Sequence, residues 1–282
     1  MAIFAGPTLI DAPPVPSRPY GLFDVALGPM AFSRPEAQGG GVQYVPDVCE
    51  DDVYLINMSC PPVSGMKTFI GVETAVSGAP FAVVTSYTCG SLGFSFAEAE
   101  QRVRTRMMLR EQRGVERRLW QGQVSAGLGI IPGLLRGATN IGPAGCATEA
   151  IELLEQALAD NGVVGGIIHA RPGMSPHLSN NFLVREKGRQ ITTPLGTPYV
   201  FGQGYDGTGP AGEAVTGDVE YMYASGRVLI WQSDVWVSPA DQVFNRATNQ
   251  LSLLGERIYA VLIECGTWTV AVTRNCTTAG SA

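Results

Sequence analysis

Charge is what this sequence has least of. Asp, Glu, Lys and Arg make up 16% of its 282 residues, against about 25% in a typical soluble domain. Lysine is scarcer still: Lys67 and Lys187 stand beside 17 arginines, and histidine occurs only at His169 and His177. A charge-poor surface is expected where partner subunits cover much of it, because the cores of interfaces are depleted in charge; a plainly neutral surface is the other reading. The net charge of −6 argues against a dedicated nucleic-acid binder, which would be basic overall. No uninterrupted apolar run approaches the ~18–20 residues of a membrane span, so no membrane association is expected. The start, Met1 to Pro7, has no basic region and its apolar stretch breaks at Gly6 and Pro7. It therefore reads as lacking a secretory leader, and a cytosolic setting is expected. Six cysteines, at 49, 60, 89, 146, 265 and 276, form no C-x-x-C pair and no zinc spacing. They read as reduced, small buried hydrophobes, with no metal expected.

Glycine (35) and proline (19) are plentiful, which points to a folded but loop-rich chain. Residues 1–46 carry eight prolines and the run Gly39-Gly40-Gly41. Proline fixes φ and removes a donor, so an extended arm is expected. Phe4, Leu9, Ile10, Tyr20, Leu22, Phe23 and Phe32 punctuate it. A free tail is poor in such residues, so this arm is built to lie on a surface. After the acidic cluster Asp47, Glu50, Asp51 and Asp52, residues 53–58 read as a strand. Met66–Val76 and Phe81–Thr88, separated by the turn residues Ser77 to Pro80, read as a two-stranded projection over 63–90.

The strongest single element begins at Ser95. Ser95 and Glu98 form a capping box. Phe96, Ala99, Val103 and Met107 follow at helical spacing, and Met108, Val115 and Leu119 continue the apolar seam. Glu98–Arg102 and Glu100–Arg104 are i,i+4 pairs in the favourable order. A helix over 96–121, about 39 Å long, is expected, with Gly114 a candidate bend. Residues 95–120 hold seven Arg against four Glu. This basic stripe is either a solvated face or a face toward nucleic acid or a neighbour's acidic arm. Further along, a Gly-rich stretch (122–147) precedes a second helix, Thr148–Asn161, and a buried strand, Val163–Ala170. Strand pairs follow at 181–193 and 221–237, and a long strand over 258–273 breaks at Cys265-Gly266. The class is α+β with a mostly antiparallel β system.

Catalytic motifs fail on context. Gly202-x-Gly204-x-x-Gly207 follows a strand, but Thr208-Gly209-Pro210-Ala211-Gly212 comes next where a nucleotide-binding fingerprint needs a helix N-terminus. Ser64-x-x-Lys67 lacks its companion motifs. His169 closes an apolar strand and reads as a hydrogen-bonded core histidine. No catalytic residue, cofactor or metal ligand is assigned, and the chain reads as a structural protein rather than an enzyme.

The order of elements resembles the major capsid proteins of tailed bacteriophages, the Hong Kong 97 type of fold. Carrying it are the projection feeding the capped helix that ends Val115 to Gly122, the helix 149–162 with its following strand, the run Gln190 to Pro198, the triplet Gly226-Arg227-Val228 and the ending 249–272. The resemblance implies an N-terminal arm (1–46) lying on neighbouring subunits and a strand with an extended E-loop (47–94). It also implies a spine helix and peripheral domain (95–138), an axial domain (139–235) at five- and six-fold axes, and a closing part of the peripheral domain with the C-terminus (236–282), in which 249–272 is the closing helix and strand. Function follows as implication: pentamers and hexamers of an icosahedral head enclosing double-stranded DNA, a virion component assembled in a bacterial host's cytoplasm. Scaffolding, portal and decoration proteins are further implied partners. Met66, Lys67, Thr68 and Phe69 of the projection and Arg102, Arg106, Arg113 and Arg117 of the helix are the expected assembly contacts. The alternatives are an encapsulin-like shell around a cargo enzyme, or a cytosolic nucleotide-using enzyme built on the 202–212 loop.

Overall fold

The computed structural model describes residues 19–46, 75–90, 95–125, 129–239, 244–245 and 247–274. In chain order these form β1 (Leu27–Ala31), α1 (Ala37–Gly40), β2 (Val42–Tyr44), β3 (Val76–Gly78), β4 (Pro80–Gly90) and α2 (Phe96–Trp120). Next come β5 (Gly122–Ser125), β6 (Gly129–Pro132), β7 (Thr139–Ala144), α3 (Ala147–Asp160), β8 (Ile167–Ala170) and α4 (Ser175–Asn180). The last are β9 (Arg185–Lys187), β10 (Gln190–Thr192), β11 (Pro198–Phe201), β12 (Val219–Ser225), β13 (Val228–Gln232), β14 (Trp236–Val237), β15 (Phe244–Asn245), β16 (Gln250–Ile263) and β17 (Thr267–Thr273). The α+β class expected from the sequence is the class observed.

Two sheets carry the molecule. In the first, β16 is central: β4 pairs along one side of it from Gln250 to Ala260, and β13, β14 and β15 share the other, with β1 beyond β13. The second has the order β7-β17-β12-β8-β11-β10-β9. The break expected at Cys265-Gly266, both at positive φ, sends the chain from β16 in the first sheet to β17 in the second, so the single strand expected there is two.

Each sheet buries one face under a helix. On α2 the buried residues Ala99, Val103, Met107, Glu111, Val115 and Leu119 recur every fourth position. That spacing keeps neighbours on one side while the contact line drifts slowly around the helix. The seam packs on Tyr87, Leu251 and Leu253 at one end and on Val228, Ile230, Tyr259 and Val261 at the other. Glycine sets how closely they approach. A Cβ on Gly255 of β16 would lie 2.3 Å from Val103 Cγ1, and one on Gly114 would lie 3.1 Å from Val83 Cγ1. Gly114 is therefore a contact point with β4. The seam excludes Met108, which is 56% exposed, because it follows Met107 by one residue and points 100° away. On the second sheet, α3 places Ala150, Ile151, Leu154 and Leu158 against Ile168, Tyr199, Met222 and Val270.

Three readings change. The ending, expected from the resemblance to begin with a helix, is the 14-residue strand β16. Residues 250–255 alternate outward and inward, and pairing with β4 outweighs the helix propensity of its leucines and glutamate. Of the expected arm, residues 19–46 are described, and residues 20–31 lie on their own chain: Leu22 is fully buried, β1 pairs in parallel with β13, and the Phe201 N–H donates to the Tyr20 carbonyl. Cys265 is disulfide-bonded, against the expectation of six reduced cysteines. The first strand of the expected projection lies largely outside the described residues; its second strand, β4, pairs with β16 along its whole length.

Candidate assembly surfaces

Helix α2 starts as its sequence dictates. The Glu98 N–H donates to Ser95 Oγ at 3.2 Å and the Ser95 N–H donates to Glu98 Oε2 at 2.7 Å. That backbone bond, more than any other influence, holds the Glu98 carboxyl below its ordinary range. Glu100 pairs with Arg104 at 2.8 Å. The other two glutamates turn inward. Glu111 takes Arg257 of β16 at 2.8 Å. Glu116, fully buried, accepts the N–H groups of Leu22 and Gly204, both at 3.0 Å, and an amide N–H of Gln112 at 2.9 Å. Burial pushes its carboxyl above the ordinary range, and those donors oppose the shift. One side chain thus ties the N-terminal segment, the long helix and the 202–207 loop together.

The four expected contact arginines of α2 divide in two. Arg106 donates to the Ser86 carbonyl at 3.0 Å and stacks 4.6 Å from the centre of the Tyr87 ring. Arg102 lies 5.9 Å from the same ring centre. Both rest on β4 of their own chain. Arg113 and Arg117 are exposed and, with Arg110, which sequence reasoning passed over, line a cleft of about 210 Å³ beside Gly114. The i, i+3, i+7 spacing of 110, 113 and 117 was the available signal. Met66, Lys67, Thr68 and Phe69 lie outside the described residues.

The glycine-rich loop after β11 serves packing. A Cβ on Gly204 would come within 2.5 Å of the Arg113 carbonyl oxygen and the Arg117 nitrogen, so the loop can lie on the helix backbone only with glycine there. Residues 208–215 form no helix. His169 is sealed between sheet strands, with Nδ1 at 2.9 Å from Tyr205 Oη and Nε2 at 2.8 Å from Ser225 Oγ. Burial holds its pKa down at about 3, so it stays neutral, as expected of a core histidine. Among the described residues, no group of three or more His, Cys, Asp or Glu could hold a metal ion.

Large apolar side chains instead stand in solvent. Phe182 (88% exposed) follows α4 at positive φ, and Leu195 (81% exposed) tips the turn after β10. Leu195 borders a groove of about 360 Å³ that Ile151, Leu183 and Pro194 also line. On the first sheet, the face away from α2 carries a row across three strands: Val84 opposite Glu256, and Glu256 opposite Trp236. Leu254 is exposed on the same face. Sequence reasoning missed these residues, because alternation marks two faces of a strand without saying which one a helix covers.

No protein-family model and no curated protein matches the sequence. Solved structures do. The capsid of a native GTA particle aligns with a TM-score of 0.58 at 9% identity, covering 96% of this chain and 96% of that one. A structure from Microbacterium phage Oxtober96 aligns at 0.55 with 14% identity, covering 96% of each chain. One from Mycobacterium phage Bobi aligns at 0.54 with 14% identity, covering 95% of this chain and 96% of that one. Over nearly its whole length, this chain has the fold that the GTA capsid subunit and these phage proteins share.

Proposed function

We propose that the chain is a major capsid protein, a non-enzymatic subunit that assembles as pentamers and hexamers into the icosahedral head of a tailed phage around double-stranded DNA. The observation that carries this reading is the full-length likeness to the capsid of the GTA particle. Two features of the chain support it. The glycine-rich loop and the histidine that could have served an enzyme are both consumed in packing. The surface keeps apolar side chains in solvent, which monomers rarely group together and which subunit contacts would cover.

In this reading α2 is the spine of a peripheral domain with the first sheet, and the second sheet with α3 is the axial domain gathered at five- and six-fold axes; this moves β13 out of the axial part expected at 139–235 and β17 into it from the closing part expected at 236–282. Arg102, Arg106, Arg113 and Arg117 lie in the contact zone. Such contacts are heterologous and must close into rings before they tile a shell. The test is electron microscopy of the purified chain, alone and co-expressed with a scaffolding protein. Closed particles or capsomers are expected. A monomer that persists in sedimentation at high concentration under both conditions would overturn the reading, and small shells filled with a cargo enzyme would redirect it to a cellular compartment.

A further inference from the structure

The seven arginines and four glutamates of α2 look in sequence like a partly neutralised helix, and the fold separates them. Glu98 is spent on the cap, Glu100 on Arg104, Glu111 on Arg257 and Glu116 on two backbone N–H groups and Gln112. Among the described residues no carboxylate lies within salt-bridge distance of Arg110, Arg113 or Arg117. All three line one cleft, on a chain whose net charge is −6. The positive charge of this cleft is therefore local, on a chain that is net negative.

We propose that the cleft of Arg110, Arg113 and Arg117 is a phosphate site for the backbone of nucleic acid. The spacing fits. Residues 110 to 117 span about 10 Å of helix at ~1.5 Å per residue, and one strand of a duplex presents a phosphate roughly every 3.4 Å of axis, so three arginines face about three phosphates. The chemistry fits as well. Arginine forks donate in pairs to phosphate oxygens, and contacts to phosphate carry no sequence information. An acidic peptide segment is the weaker occupant, because exposed guanidinium–carboxylate pairs contribute only about 0–1 kcal/mol each, whereas a polyanion also releases condensed counterions. The proposal rests on the shell reading for its biological setting, packaged DNA lying against the subunit.

Its test does not depend on assembly. Fluorescence anisotropy of a labelled 30-base-pair duplex would be followed with the full chain, unassembled and as particles, across a salt series. Wild type should show a log–log salt slope of about −2.7, the value for three phosphates. Arg110→Gln/Arg113→Gln/Arg117→Gln should weaken binding at least tenfold at low salt and bring the slope near zero. Arg185→Gln/Lys187→Gln/Arg189→Gln, which removes the same charge from exposed β9 and the turn after it, should leave both unchanged. Arginine-specific modification of wild type, read by mass spectrometry, should show the three side chains protected by DNA. The proposal is overturned if the α2 variant keeps the wild-type slope, if the control variant loses as much, or if polyglutamate protects these arginines and DNA does not. A chain that binds DNA through this cleft and never forms particles would count against the shell reading alone.

Discussion

His169 has both ring nitrogens taken by hydroxyls inside the second sheet, and the cost of that position depends on pH. Its folded pKa, about 3, lies below the unfolded value of about 6.5. Between these values the unfolded chain binds the extra proton. The associated stability is therefore complete above pH 6.5 and is lost as pH falls toward 3. At pH 5 the loss is roughly 2 kcal/mol, at about 1.36 kcal/mol per unit. Urea unfolding of wild type and His169→Gln at pH 7.5 and pH 5 should show that much more acid sensitivity in wild type, with the glutamates common to both cancelling. Equal losses would mean that His169 is not held neutral. Gly204 makes a steric prediction at the same scale. Gly204→Ala places a methyl group 2.5 Å from helix backbone atoms that have no side-chain freedom to yield. It should cost at least about 1–3 kcal/mol, whereas Gly39→Ala, with open space around it, should stay within about 0.5 kcal/mol.

At the scale of elements, α2 was legible because its signals are local: a cap, a Glu three residues on, and apolar side chains one turn apart. Ser95→Ala should therefore cost about 1 kcal/mol, and Ser95→Asp should recover most of it, read as shifts in the urea midpoint at an unchanged m-value. What was not legible is long-range. Glu116 and its donors at Leu22 and Gly204 are separated by 94 and 88 positions, and nothing in the helix marks that glutamate as the inward one. The same gap hid the positive cleft, since the sequence counts charges without saying which of them face inward. β16 shows the converse. Its residues read as a strand from Ile258 onward, while the resemblance to a known family implies a helix before it. The pairing with β4, an element some 170 residues earlier, decided the matter.

At the scale of the molecule, the first sheet has one face under α2; on the other, Ala260 and Leu262 are buried while the stretch around Val84, Leu254 and Trp236 is open. Antiparallel sheets commonly leave one face to solvent, and such a face is ordinarily polar. Here Val84, Trp236 and Leu254 are exposed on it, with Glu256 between the first two. Thr88 and Ser252, hydrogen-bonded across the strands at 3.1 Å, mark where the polar surface resumes. Exposed apolar side chains grouped on one sheet face, here around Glu256, form the kind of patch that subunit contacts cover. Its burial between subunits would favour association at about 25 cal/mol per Å² before the costs of ordering. Because the row makes no contact with α2, charging it should spare the fold. Val84→Glu/Trp236→Glu should keep the wild-type urea midpoint to within about 0.5 kcal/mol and abolish particles, because two unpaired carboxylates would be buried beside Glu256 at every such contact. Sedimentation and electron microscopy read the assembly, and urea unfolding reads the fold. Normal particles from the double variant would place the subunit contacts elsewhere, at the Phe182 and Leu195 tips of the second sheet. Loss of particles at an unchanged midpoint would place them on the open face of the first.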